Sequence, residues 1–226
     1  MRRHAPLLAL LAVLALPVLL LLASPEAQAA DKPTLGLRYP SLTPDNERVV
    51  FGYRGDIWIA AADGKGPATR LTMHEAQETL PRVSPDGKQV AFSSRRNGGY
   101  DLFITSEDGG LPEQLTFHGG PAILCNWSPD GKRLLFLGSR GPKVTGMDLY
   151  EVDLAGGTPR AVTFDGGRDG AYHPNGKTIV YARGFNTIYQ DNYDGAANYD
   201  LFVVDEPGAL PRRLTETGGN ERHPFY

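Results

Sequence analysis

Three observations predict an all-β chain, a β-propeller of four-stranded antiparallel blades. One turn recurs four times, at Thr43-Pro44-Asp45-Asn46, Ser84-Pro85-Asp86-Gly87-Lys88, Ser128-Pro129-Asp130-Gly131-Lys132 and His173-Pro174-Asn175-Gly176-Lys177, with its prolines 41, 44 and 45 residues apart. Glycine (27) and proline (18) are abundant enough to close many tight turns between short strands. Outside the first thirty residues, no segment keeps the apolar spacing of a helix over a useful length.

The elements follow in chain order. Met1-Arg2-Arg3-His4 is basic, Ala5 to Ala23 is an apolar run, and Ala27-Gln28-Ala29 is the small-x-small pattern that a signal peptidase reads. Residues 1–29 are therefore expected to be a signal peptide, and the product to be exported to a periplasm or the cell exterior. The run is nearly long enough to span a bilayer, so the only membrane contact foreseen is through an uncleaved leader. Pro17 interrupts it and favours cleavage.

Residues 30–226 are expected to form a partial propeller with blades at about 35–74, 75–118, 119–166 and 167–217. In each blade one strand precedes the turn and three follow. Proline presets φ for the turn, the Asp or Asn side chain bonds the backbone two residues on, and glycine supplies a positive φ. The second strand is apolar: Val49-Val50-Phe51, Val90-Ala91-Phe92, Leu134-Leu135-Phe136 and Ile179-Val180-Tyr181. The third opens with aspartate: Asp56-Ile57-Trp58, Asp101-Leu102-Phe103, Asp148-Leu149-Tyr150 and Asp200-Leu201-Phe202. The fourth ends in Leu71-Thr72, Leu115-Thr116, Val162-Thr163 and Leu214-Thr215. One such sheet cannot bury both of its faces alone, so the units must stack, and four-stranded units of this period are propeller blades. A fifth blade is expected to begin at about 220, where Asn220-Glu221-Arg222-His223-Pro224 parallels Glu78-Thr79-Leu80-Pro81. The chain reads as an N-terminal fragment cut in mid-blade, expected to be marginal in stability alone, with an open edge strand.

Composition and motifs exclude several chemistries. A net charge of -3 argues against nucleic acid as a partner. One cysteine, Cys125, allows neither an internal disulfide nor a zinc cluster. The histidines fall at repeat positions without metal-ligand spacing, so no metal or cofactor is expected. There is no G-x-S-x-G. Ser84 and Ser128 belong to the repeated turn, so no catalytic residue is foreseen in this chain. Trp58 and Trp127 are expected to pack between blades.

The Ser-Pro-Asp-Gly-Lys turn, the apolar strand, the Asp-Leu-Phe/Tyr strand and the Leu-Thr ending together resemble the TolB-like, WD40-like (PD40) propeller repeat. Two details make the chain most similar to the N-terminal propeller of tricorn-type serine proteases. One is a first blade that begins immediately after the leader, at Arg38-Tyr39-Pro40-Ser41-Leu42, with Val49-Val50-Phe51-Gly52-Tyr53-Arg54-Gly55-Asp56-Ile57-Trp58 close behind. The other is the long fourth-blade connection from Arg183 to Tyr199. The resemblance implies a non-catalytic propeller of an exported tricorn-like serine protease, filtering or routing peptides toward downstream domains of the same chain. The alternative is a TolB-like exported propeller that binds other proteins; amidohydrolases and prolyl-oligopeptidase relatives also carry the repeat. The fourth-blade insertion is the expected contact for a peptide or protein partner, through Tyr189, Asp191, Asn192, Tyr193 and Asn198, because long loops on a rigid sheet are where such folds bind.

Overall fold

A computed structural model of the chain describes residues 36–140, 146–184, 198–216 and 219–225. The described residues hold sixteen strands, joined by turns and loops, and no helix. They form four antiparallel four-stranded sheets, each from one continuous stretch of chain. Blade one holds β1 (Arg38–Leu42), β2 (Arg48–Tyr53), β3 (Asp56–Ala61) and β4 (Thr69–Arg70). Blade two holds β5 (Glu78–Val83), β6 (Gln89–Asn97), β7 (Gly99–Ser106) and β8 (Glu113–Gln114). Blade three holds β9 (Ala122–Trp127), β10 (Arg133–Gly138), β11 (Asp148–Asp153) and β12 (Arg160–Ala161). Blade four holds β13 (Gly167–Tyr172), β14 (Ile179–Arg183), β15 (Asp200–Val204) and β16 (Arg212–Arg213).

The repeated turn is a hydrogen-bonded unit. Ser84 Oγ accepts from the Gln89 amide (3.0 Å) and donates to Asp86 Oδ1 (2.6 Å), which accepts from the Lys88 amide (3.1 Å). Ser128 repeats this with Arg133, Asp130 and Lys132, and Thr43 with Arg48, Asp45 and Glu47. In blade four His173 Nδ1 and Asn175 Oδ1 take over as acceptors, from the Asn175 and Lys177 amides. The residue after the acid or amide is left-handed in every blade: Asn46 (φ 61°), Gly87 (79°), Gly131 (68°) and Gly176 (71°). That conformation explains the glycine.

The Leu-Thr ending ties the fourth strand to the third. The Ile57, Leu102, Leu149 and Leu201 amides donate to the hydroxyls of Thr72, Thr116, Thr163 and Thr215 at 2.9–3.0 Å. The carbonyls of the same four residues accept from the amides of Leu71, Leu115, Val162 and Leu214 at 2.8 Å. The aspartates that open the third strands are consumed in the same corner. Asp101 accepts from Thr116 Oγ1 (2.8 Å), Asp148 from the Gly166 amide (2.9 Å), and Asp56 and Asp200 pair with Arg70 and Arg213.

The apolar second strands of blades two and three are buried on both faces because each of these blades lies between two neighbours. Val90 and Phe92 join Val50, Ile57 and Ile59 in a core between blades one and two. Their neighbour Ala91 points the other way, into a core with Leu134, Phe136 and Trp127 of blade three. Leu135 and Leu149 meet Tyr172, Ile179 and Tyr181 between blades three and four. Each fully buried large side chain contributes about 1.5–3 kcal/mol. Cross-strand aromatic pairs recur on these faces, Phe92 with Phe103, Phe136 with Tyr150 and Tyr181 with Phe202, with ring centres 5.8–6.0 Å apart. Trp127 packs between blades as expected, its Nε1 donating to the Arg82 carbonyl of blade two (2.9 Å). Trp58 differs: it stays in its own blade, against Tyr53, and donates to the Tyr53 carbonyl. Among the described elements the array does not close, since β1 touches β5 but not β13. On β1, Pro40 is exposed where its blade-two counterpart Pro81 is buried.

Candidate functional site

The first strands of the blades lie innermost and touch in sequence, β1 on β5, β5 on β9 and β9 on β13. All four carry a break in register: between Arg38 and Ser41, between Thr79 and Arg82, opposite Leu135/Phe136, and between Arg168 and Ala171. In three of them the extra residue is left-handed and not glycine: Tyr39 (φ 55°), Leu80 (54°) and Asp169 (54°). His223 (56°) repeats this in the segment that follows blade four. Bulges bend a strand and re-aim its side chains, and non-glycine residues held at positive φ cluster at binding sites.

These bulges surround one cavity of 380 Å³. Its wall takes residues from every inner strand, among them Tyr39, Leu80, Arg82, Cys125 and Asp169, and His223 from the last segment. Arg82 Nε donates to the Cys125 carbonyl (3.2 Å), and burial draws its guanidinium below the usual range. Burial pushes the Cys125 thiol up to about 11, which favours its protonated form at neutral pH. Asp169 pairs with Arg222 (2.9 Å) and lies 3.5 Å from His223 Nδ1. The inner edge of each first strand has no ladder partner among the described strands, which leaves backbone groups facing the axis.

The segment 219–225 docks on blade four as blade two docks on blade one. The Glu221 amide donates to the Tyr199 carbonyl (2.7 Å), as the Glu78 amide does to Gly55 (2.8 Å). Tyr199 is also covered by the Arg168 and Arg222 guanidiniums, 5.5 and 4.7 Å from its ring centre.

Of the residues expected to contact a partner, Tyr189, Asp191, Asn192 and Tyr193 lie outside the described residues. Asn198 is buried, at 5% exposure, and its carbonyl would stand 2.4 Å from a side chain added at Gly184. Sequence reasoning did not single out the axial cavity. The available signal was a proline at a fixed offset in Tyr39-Pro40, Leu80-Pro81 and His223-Pro224.

Comparison with known proteins agrees with this architecture. The chain is 28% identical over 201 residues to Tricorn protease homolog 1 of Streptomyces coelicolor, covering 84% of this chain and 18% of that protein. In fold it is similar to TolB from Acinetobacter baumannii (TM-score 0.66, 22% identity, 83% of this chain and 45% of that one). It is likewise similar to the tricorn protease (TM-score 0.62, 18% identity, 81% of this chain and 18% of that one). The chain thus spans less than half of the length of each of these relatives. The family model described as Tricorn protease N-terminal beta propeller domain matches residues 34–226, and the chain belongs to that family.

Proposed function

We propose that this chain is the non-catalytic N-terminal propeller of an exported tricorn-like serine protease, and that it routes extended peptides to catalytic parts outside these residues. The observation that carries this reading is the axial cavity, walled by the free edges and bulges of every inner strand. An extended peptide fits such a wall because its main chain can pair with strand edges and its side chains alternate into pockets. Family membership supports a protease context, and the leader pattern of residues 1–29 supports export.

The test is binding of a fluorescein-labelled unfolded polypeptide to the purified chain, followed by anisotropy, beside a folded protein of equal size and charge. Saturable binding of the unfolded polypeptide alone, without its cleavage, is the expected result; binding of neither overturns the reading. A second reading, a module that docks folded proteins, is favoured by the fold shared with TolB, and binding of the folded protein alone would select it. Amino-terminal sequencing of the protein recovered from its source tests export. A start at Ala30 is expected, and retention of Met1 overturns cleavage.

A further inference from the structure

A second cavity, of 310 Å³, lies at the junction of blades one and two and shares the Tyr39 wall with the axial one. Its wall includes Arg38 from β1 and Arg54 from the β2–β3 hairpin, with Tyr39, Tyr53 and Gln77. Among the described residues neither arginine has an ion pair or a side-chain hydrogen bond, although most arginines of this protein do. The Arg54 guanidinium instead lies over the Tyr53 ring, 5.3 Å from its centre, which orients it without answering its charge. Glu78 also lines the cavity; its Oε1 is paired with Arg96 through Nε (2.9 Å) and Nη2 (2.5 Å), while its Oε2 is buried without a hydrogen-bond partner.

The backbone sharpens the argument. Arg54 and Gly55 are both left-handed (φ 51° and 92°), the conformation of a two-residue hairpin turn that favours Asn, Asp or Gly. Arginine is a poor choice for that turn, so the turn itself does not account for it. A pair of uncompensated guanidiniums at the edge of a polar cavity is built to accept a carboxylate through charge-assisted hydrogen bonds.

We infer that this cavity is a subsite for the side-chain carboxylate of an extended acidic peptide, held by Arg38 and Arg54. The inference rests on the peptide-routing reading and names the peptides that the propeller favours. A site for an anionic side chain gives the chain a preference among peptides that the axial cavity, with its mixed lining, does not supply.

Three fluorescein-labelled peptides test it by anisotropy with the purified chain: an acetylated and amidated peptide with three central glutamates, its glutamine counterpart, and that counterpart with a free terminal carboxylate. The glutamate peptide is expected to bind about tenfold tighter than its amidated counterpart, one good charge-assisted contact in an exposed setting. The preference should shrink as salt rises from low to physiological ionic strength. It should vanish in Arg38→Gln/Arg54→Gln and survive in Arg95→Gln, an exposed arginine outside the cavity wall. Arg54→Gln alone, at an exposed hairpin tip, serves if the double variant melts abnormally. Equal binding of the glutamate and glutamine peptides, a preference confined to the free terminus, or a preference that survives the double variant each overturns the subsite and leaves peptide routing standing. Failure of all three peptides to bind overturns both.

Discussion

Ser93 is the sharpest test of how the blades hold together. It sits on β6 of blade two, fully buried, yet its partners lie in blade three. Its Oγ accepts from the Leu124 amide (2.8 Å) and donates to the Ala122 carbonyl (3.3 Å), so one hydroxyl spans the blade interface twice. Ser93→Ala removes both bonds without changing the packed volume much. Leu124 and Ala122 are 3% and 0% exposed, so no bulk water replaces the hydroxyl. A buried donor left unmade costs about 1–3 kcal/mol; the longer bond to a carbonyl with a second lone pair adds less, so about 2 kcal/mol is the expected loss. For a chain of this size that lowers Tm by about 4–8 °C. Urea unfolding followed by tryptophan fluorescence reads it directly, because Trp127 lies in the same interface. The midpoint should fall with an unchanged slope, and the exposed Ser106→Ala should stay within about 0.5 kcal/mol of the parent. An unchanged midpoint for Ser93→Ala would refute the idea that side-chain bonds, rather than apolar burial alone, register one blade on the next.

The remaining predictions concern the same framework. Tyr172→Phe removes the Tyr172 hydroxyl that donates to buried Glu151 across blades three and four (2.6 Å), and should cost about 1.5–3 kcal/mol in urea unfolding. Gly170→Ala places a methyl 2.7 Å from Leu149 Cδ1 and 2.8 Å from Leu135 Cδ2, an overpacking worth about 1–3 kcal/mol, whereas Gly99→Ala, with open space around it, should be close to neutral. Asp45, Asp86 and Asp130 are held below 3.8, chiefly by the hydroxyls of Thr43, Ser84 and Ser128 that donate to them. Their stabilisation is therefore complete above the ordinary carboxylate value and is lost as pH falls through the depressed folded values. Thermal melts between pH 5 and 2 should show a shallower acid loss in the Asp45→Asn/Asp86→Asn/Asp130→Asn variant than in the parent.

The sequence alone determined the repeat and hence the fold class. Turn chemistry is local: a Ser, Pro, Asp and Gly within five residues satisfy one another whatever lies beyond, so the roles of Ser84 and Asp86 are set by their immediate neighbours. The two-faced burial of Val90-Ala91-Phe92 was legible for a similar reason, because a continuous apolar run has no solvent side. What lay between blades was not legible in the same way. Ser93 looks like an ordinary polar residue at the end of an apolar run, and its role depends on Leu124, thirty-one positions away, being brought beside it. Tyr172 and Glu151 likewise acquire their meaning only when blades three and four are packed. The bulges of the inner strands left a trace in the recurrent proline, but the cavity they enclose arises from the four inner strands and the segment after blade four converging on one axis, which no local pattern encodes. Arg38 and Arg54 show the same limit: only the tertiary structure decides that these two arginines face one cavity while Arg70 and Arg96 are taken by Asp56 and Glu78. Short-range hydrogen bonding is written in neighbouring residues; charge compensation and cavity shape depend on which distant residues the fold brings together.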